Sequence, residues 1–503
     1  MSTGLILGLD IGTQAVKANL VTPTGEVLAR VDIERGTSHP APGWVEMDIE
    51  RDWWGTSVQA VRQILTRSGI QAAEVFAIGV SGLVPCLGLL DEAGRSLRPA
   101  ILYSDNRALE ELDWVNQRGG LELSAEAVVP KLVWIQRHQS EIFARATMLL
   151  SAHNYVVYRL TGNCTMDYDT AGIMGGIFDA QNKTWKTGLM EKLGLPAHIL
   201  PQLSPATGIV GRITSEAARA IGLPEGIPVI AGSGDTFPTI VGCGAVDPGD
   251  AMIAFGTTGL LTITNRPLVE SAQGPHFESN SQQGSVTWGS NVLSAGRLVR
   301  WFSDQFGQAE RSIASRLGDN EFTLLEMQAE KIPAGAQGLI VLPHWLGRRT
   351  PQPNATLRGS TLGWTPAHSP AHFYRAILEA FAYNVKQGFD VYRSQIQRVV
   401  VTSGGARCRL WRQIMADVLD SPLEYHSGSC GALGIAFLTA YATHSVDNFS
   451  DIKTRWLAQP EITYPDPQNV AVYRQLFEVY CHFDEALAEP YAHLAQVIRE
   501  NQL

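Results

Sequence analysis

Three short segments of this 503-residue chain hold the residue types that chemistry on phosphates needs. Asp10-Ile-Gly-Thr13 closes an apolar run, and Gln14 and Lys17 follow it. A glycine there lets backbone N–H groups approach a phosphate, the threonine hydroxyl adds a donor, and the carboxylate suits a hydrated Mg²⁺. Taken alone, the segment fits a strand-ending Asp-x-Gly turn equally well. Ala231-Gly-Ser-Gly-Asp235-Thr236 delivers an aspartate from an apolar run into glycine-rich surroundings with room for a ligand. Such an aspartate can accept the proton of a hydroxyl during in-line phosphoryl transfer; without context, an Asx-turn or a helix N-cap is the commoner use. Ser403-Gly-Gly-Ala406 stands between a strand pattern and a helix pattern. It permits close approach of a flat ring such as adenine with its ribose, or is a plain strand-to-helix turn. The glycine-rich run 428–434 is placed to line the same cleft.

The elements around these segments follow from hydrophobic periodicity. Residues 5–9 are apolar; beyond Asp10-Ile-Gly-Thr13, Val16, Ala18 and Leu20 alternate with Lys17 and Asn19, and a Pro/Gly turn leads into 27–31. Period-two patterning on both sides of a turn reads as strand–turn–strand–turn–strand. P-loop and dinucleotide sites place a helix directly after the glycine turn, so the second strand separates this site from them. The same order returns nearly half a chain later: an apolar run at 251–255, the turn Gly256-Thr257-Thr258-Gly259, and a second strand at 260–264. The spacing suggests an internal duplication into two similar α/β lobes. The turn-rich stretch 244–249 is the expected boundary, giving lobes 1–246 and 247–503. Helix patterns occur from Asp48 to about 65 and at 131–137, 371–391, 411–419 and 470–488; strand patterns occur at 75–80, 101–103, 228–231 and 399–402.

Bulk properties narrow the function. The chain is 45% hydrophobic and 17% charged, which fits a globular protein. Its net charge of −10 argues against non-specific binding to nucleic acid or anionic membrane. The six cysteines show neither zinc nor C-x-x-C spacing, no apolar stretch approaches a membrane span, and the N-terminus lacks a basic leader. A cytoplasmic protein with free thiols is expected. G-x-x-x-x-G-K-[ST], H-R-D with D-F-G, and H-E-x-x-H are all missing.

In order along the chain, these pieces resemble the FGGY carbohydrate kinases of the actin/hexokinase-type superfamily, and within them the xylulokinase-like branch. The resemblance spans nearly the whole chain. It includes Gly43-Trp44-Val-Glu46 with Asp52-Trp53-Trp54, Ser104-Asp105-Asn-Arg107, Pro130-Lys131-Leu-Val-Trp134, Leu160-Thr-Gly162 and Gly232-Ser-Gly-Asp235. It continues through Gly256-Thr-Thr-Gly259, Leu346-Gly-Arg-Arg-Thr-Pro351, Arg358-Gly359 and Gly404-Gly-Ala406 with Trp411-Arg-Gln. It implies an α/β fold of two RNase H-like lobes closing on a catalytic cleft, with the last helix packing back on the first lobe. It also implies ATP and Mg²⁺. Asp10, Thr13, Gln14 and Lys17 would serve the first phosphate and metal site, and Gly256, Thr257, Thr258 and Gly259 the second. Gly404, Gly405 and Ala406 would meet the adenosine. Asp235 matches the catalytic base and, with Asp10, the metal site. Asp105 matches a sugar-binding acid, with Leu83, Val84, Trp44 and Thr236 completing the implied sugar pocket. Relatives of this kind are often dimers, so a homodimer is among the expectations.

Two departures bear on substrate. Xylulokinases read Ser-Gly-Gln-Met-His-Gly where this chain reads Ser81-Gly82-Leu83-Val84-Pro85-Cys86. Losing hydrogen-bonding groups there changes which sugar fits. The usual Gly-Glu-Arg-Thr-Pro is Gly347-Arg348-Arg349-Thr350-Pro351, an acid-to-base swap that is either structural, the preferred reading, or a device for an acidic substrate. The expected activity is phosphorylation of a ketopentose such as xylulose. Ribulose, erythrulose and glycerol-like acceptors remain as alternatives. A nucleotide-dependent switch or a non-catalytic sugar-binding protein on the same scaffold would be a different class.

Overall fold

The computed structural model describes residues 4–265, 285–428 and 430–501. The first sheet begins with an antiparallel meander of β1 (Leu5–Ile11), β2 (Ala15–Val21) and β3 (Val27–Glu34). β4 (Val75–Gly82) lies parallel to β1 on its other side. β5 (Ile209–Arg212) and β6 (Pro228–Ile230) complete the order β5-β6-β4-β1-β2-β3, and the short β7 (Ser233–Gly234) also pairs with β4.

The second sheet follows the same path. β8 (Asp250–Phe255), β9 (Gly259–Asn265) and β10 (Ser285–Val292) form a meander, β11 (Arg398–Thr402) and β12 (Leu423–Tyr425) run parallel to β8, and β13 (Glu461–Thr463) is the antiparallel edge. Strand senses match position by position between the sheets. They differ in chain order at the edge, where β5 precedes β6 whereas β13 follows β12, and in the extra short strand β7 of the first sheet.

Helices α1 (Thr56–Ser68), α2 (Val128–His138), α3 (Ala152–Thr161) and α4 (Thr236–Gly242) belong to the first half of the chain. The second half carries α5 (Pro370–Tyr392), α6 (Arg409–Leu419), α7 (Gly431–Ala442), α8 (Pro467–Ala486) and α9 (Ala488–Asn501). β1 is buried on both faces, which explains why it reads as a continuous apolar run. Leu7 and Leu9 enter the core formed with α1 and α3, whereas Ile6 faces α7. Gly8 shares that second face; a Cβ there would overlap the carbonyl of Ala432. α7 is apolar on all sides because it is enclosed on all sides. It packs against α4, where a Cβ on Gly434 would overlap the carbonyl of Pro238. α4 in turn inserts Ile240 beside Met252 and Val400 of the second sheet.

The helix that returns to the first sheet is thus α7, not the last one. α8 sends Tyr473 and Tyr480 into the second lobe's core, and α9 holds Ser360 through the hydroxyl of Tyr491 at 2.6 Å. This corrects the expectation from the sequence. Polarity of the terminal helices indicates a packing face but not which lobe lies beneath it. Two other elements differ from their patterns. The strand expected at 101–103 is only Ala100–Ile101, paired with Glu46–Met47, and the terminal helix pattern divides at Leu487.

Candidate functional site

β1 and β2 bring Asp10 and Lys17 opposite each other as cross-strand partners. On the other side Asp10 pairs in register with Ser81 of β4, whose hydroxyl donates to Asp10 Oδ1 at 2.9 Å. The carboxyl is buried, and burial raises its pKa against the opposing pull of Lys17, Ser81 and Arg35. Alternation along β1 puts Asp10 on the α7 face with Ile6 and Gly8. There it meets the first turn of α7, where a Cβ on Gly431 would stand 2.9 Å from Asp10 Oδ2. The hairpin itself is closed by Gly12 N–H donating to Ala15 O at 2.9 Å. Arg35 braces it from outside, donating from Nε to Gly12 O at 3.0 Å, with a further Nη2 contact to the same carbonyl and one from Nη1 to Asp52 O. Burial lowers the Arg35 pKa to about 10. Thr13 and Lys17 are half-buried at this turn and Gln14 is exposed.

Asp235 follows β7 and stands at the N-cap of α4. Its N–H donates to Gly82 O at 2.9 Å, and the carboxylate accepts from the Thr236 side chain and N–H. Burial, and then the charge of Asp10, push its pKa up to about 7. Burial together with a second carboxyl nearby raises the pKa of an aspartate, a setting seen at proton-transfer sites. Among the described residues no group of three or more His, Cys, Asp or Glu side chains is arranged to hold a metal. Two carboxylates do fit Mg²⁺, which takes one or two from protein and its remaining ligands from water and phosphate.

The second hairpin, with Gly256, Thr257 and Thr258 half-buried between β8 and β9, is tied to the helix that follows β10. Gly296 N–H donates to Gly256 O at 2.9 Å and Arg297 N–H to Thr257 O at 3.1 Å. Gly259 begins β9, packed so tightly on Phe381 that a side chain would overlap its ring. After β11, Ser403 adopts φ +75°, a strained conformation for a non-glycine residue that is common at functional sites. Gly404 faces open space, Gly405 is pressed against Trp411, and Ala406 is buried. Of the three, Gly404 is exposed, Gly405 partly so and Ala406 enclosed. Within the run 428–434, Gly431 stands against Asp10 and Gly434 against Pro238 of α4, and Ser429 is outside the described residues.

Asp105 is fully buried. It accepts from Val45 N–H at 2.6 Å, Arg107 N–H at 3.0 Å, and Arg107 Nε and Nη2 at 2.9 and 2.6 Å. Four donors fill the acceptor capacity of a carboxylate. Arg107 also pairs with Glu46 at 2.8 Å and lies 3.7 Å over the ring of the half-buried Trp44, which packs edge-on against Trp134. Asp105 therefore acts on Trp44 and Arg107 and offers no free oxygen. The turn after β4 is pinned by Leu83 N–H donating to Ile11 O at 2.9 Å; Leu83 and Cys86 are buried, and Val84 packs on Gly234.

Several participants are invisible to motif reading. Tyr103 hydrogen-bonds with Thr13, and its pKa is raised by burial and by the charge of Asp235, with Arg297 opposing. Lys131 Nζ donates to the carbonyls of Leu102, Tyr103 and Glu126 at 2.9, 3.1 and 3.1 Å, and burial lowers its pKa to about 8. His153, fully buried beneath Gly82 and Gly232, pairs with Asp167 at 2.7 Å. The Pro-Lys motif is the only sequence signal for any of these. Arg348 donates to Asp484 at 2.6 Å, and His344 lies 2.8 Å from the same carboxylate. The acid-to-base swap thus serves packing of α8 within the second lobe. Neighbouring Arg349 pairs with Glu126 of the first lobe at 3.0 Å.

Two duplicated sheets, each with a Gly-Thr hairpin, and paired carboxylates at the first define a two-lobed α/β phosphotransferase. The FGGY family model for the N-terminal domain matches residues 5–242, and that for the C-terminal domain matches 251–443. Xylulose kinase of Escherichia coli (strain K12) is 30% identical over 493 residues, 95% of this chain and 98% of that protein. Xylulose kinase of Bacillus subtilis (strain 168) is 29% identical over 491 residues, 94% and 95% of the two chains. The crystal structure of xylulose kinase from Rhodospirillum rubrum superposes with a TM-score of 0.82 at 28% identity, covering 97% of this chain and all of that one. The chain belongs to the FGGY family of carbohydrate kinases. It is an ATP-dependent sugar kinase, phosphorylating a sugar hydroxyl.

Proposed function

We propose that the acceptor is a ketopentose of the xylulose type and that Asp235 is the general base. What supports the base is its placement: Asp235 stands at the N-cap of α4, held to Gly82 O through its N–H, where burial and then the charge of Asp10 push its pKa up to about 7. A carboxylate of that basicity accepts a hydroxyl proton far better than an ordinary aspartate near neutral pH. The acceptor oxygen forms a bond to the γ-phosphorus as the bond from that phosphorus to the β,γ-bridging oxygen breaks; the hydroxyl proton passes to Asp235, and ADP leaves. Thr13, Gln14 and Lys17 receive phosphate oxygens at the first hairpin, and Gly256 to Gly259 at the second. Gly404 offers its open face to the adenosine, with Gly405 and Ala406 shaping the turn behind it. Asp10 and Asp235 would hold Mg²⁺, which when bound with ATP offsets the phosphate charge. Asp105 orients Trp44 and Arg107 along the sugar pocket, and Thr236 steadies the base. Closure of the lobes, assisted by the Arg349–Glu126 pair, excludes water as a competing acceptor.

The six free cysteines fit a reducing cytoplasm, and among the described residues no helix is long and apolar enough to cross a membrane. A homodimer is the proposed assembly, checked by light scattering. An ADP-release assay across pentuloses, tetruloses, hexuloses and polyols tests the acceptor. Turnover confined to polyols, or ATP hydrolysis indifferent to every sugar, would refute the ketose assignment.

A further inference from the structure

Glu126, the first-lobe member of the pair with Arg349, is also tied through its main chain to the buried Lys131. Lys131 is 1% exposed, and its ammonium donates to the carbonyls of Leu102, Tyr103 and Glu126 at 2.9, 3.1 and 3.1 Å. An ammonium has three donors and no acceptor, so these bonds use all of it. Two of the carbonyls lie on the segment that carries Tyr103, which hydrogen-bonds with Thr13 at the first hairpin. The third belongs to Glu126, whose carboxylate meets Arg349 of the second lobe at 3.0 Å, the two side chains 27% and 26% exposed. A pair sheltered to that degree is screened less by solvent than one on the open surface.

The contacts continue beyond Arg349. Its neighbour Thr350 accepts at Oγ1 from Asn291 N–H of β10 at 2.8 Å, and its carbonyl accepts from Asn384 of α5 at 3.4 Å. Asn291 and Val292 pair in register with Leu260 and Gly259, where β9 leaves the second hairpin. A continuous run of contacts thus joins the two hairpins: Thr13 to Tyr103, Lys131, Glu126 to Arg349, Thr350, and β10. Within it Lys131 fixes the spacing between segments 102–103 and 126, so Tyr103 can hold Thr13 while Glu126 meets Arg349. We infer that Lys131 is a positioning residue that couples nucleotide binding at the second hairpin to sugar binding in the first lobe. The inference rests on the reading above that the lobes close over ATP and a ketose. Coupling of this kind is reciprocal: each ligand tightens the other by the same factor.

The test is calorimetric binding of D-xylulose to the full-length protein, with and without Mg²⁺ and the non-hydrolysable β,γ-imido analogue of ATP. In wild type the nucleotide should tighten the sugar at least about fivefold, the lower end of the usual coupling between sites. Lys131→Gln offers two donors for three carbonyls and should bring that factor below about twofold. Arg349→Met and Tyr103→Phe, which cut the run on either side of Lys131, should do the same. A lysine that only stabilises the fold would give a different result: a lower Tm, or weaker binding of both ligands, with the factor unchanged. A wild-type factor in Lys131→Gln overturns the inference. So does an undiminished factor in Tyr103→Phe, which decides the outcome if the lysine variant fails to fold. A factor lost in Arg349→Met alone leaves lobe closure standing without Lys131. No coupling in wild type, or no binding of D-xylulose, refutes the closure or acceptor reading and the inference together.

Discussion

Asp235→Asn keeps the shape of the side chain and removes its titration, so one substitution probes both catalysis and stability. In the folded protein the Asp235 pKa stands at about 7 against an ordinary value of 3.8, with burial as the main cause and Asp10 second. The free enzyme should therefore gain kcat/KM as pH rises to about 7 and then level off. Asp235→Asn should lose about 10²- to 10⁴-fold in turnover, the usual contribution of a general base, and its residual rate should lack the acid limb. Stability moves the opposite way. A raised folded pKa means that the native state holds its proton more tightly than the unfolded chain, so the benefit is complete below pH 3.8 and disappears as pH rises through 7. About three pKa units at about 1.4 kcal/mol each set a ceiling of about 4 kcal/mol, and partial solvent access lowers the expected penalty to about 1–4 kcal/mol. Asp235→Asn should consequently match wild type in stability near pH 4 and exceed it at pH 8. ADP release from pH 5.5 to 9 and urea unfolding at the two pH values measure both effects. A rate independent of pH between 5.5 and 8, or an Asn variant no more stable than wild type at pH 8, would refute the argument.

Arg348→Glu restores the acid usual in this family but sets it against buried Asp484. Stability should fall by about 3–5 kcal/mol, as for a broken buried pair, while the sugar KM of the folded enzyme stays within about twofold; a large KM change with unaltered Tm would instead make Arg348 a substrate contact. Gly434→Ala forces a methyl into the carbonyl of Pro238 at the α4–α7 crossing and should cost about 1–3 kcal/mol or more, read by thermal unfolding; an unchanged Tm would mean that the helices separate freely there. Glu126→Gln and Arg349→Met should each raise the KM for ATP and sugar a few-fold by weakening the link between lobes, and the double variant should be no worse than either single one. Full additivity in that cycle would show that the pair does not act as a unit.

Local chemistry was legible along the chain because it is written locally. A glycine turn between two strand patterns identified β1–β2 and β8–β9, whereas Asp235 in its glycine-rich surroundings read more readily as a turn or cap aspartate until the order of motifs gave it a role. The order of motifs carried the family, and with it the two-lobed fold. Other features depended on residues far apart in sequence. Arg348 and Asp484, 136 positions apart, read separately as a departure near the cleft and an ordinary helix acid, and only packing of α8 makes them a buried pair. Asp105 reads as an available acid until Val45 and Arg107 occupy both its oxygens. α7 reads as one more apolar helix of the second lobe, and the glycines of β1 and β4 were needed to receive it on the first sheet. Periodicity reports that a residue is buried, not what lies against it, because hydrophobic burial is non-directional. Partner choice is set by close packing and by the need to satisfy each buried charge, and those conditions exist only once the chain has folded.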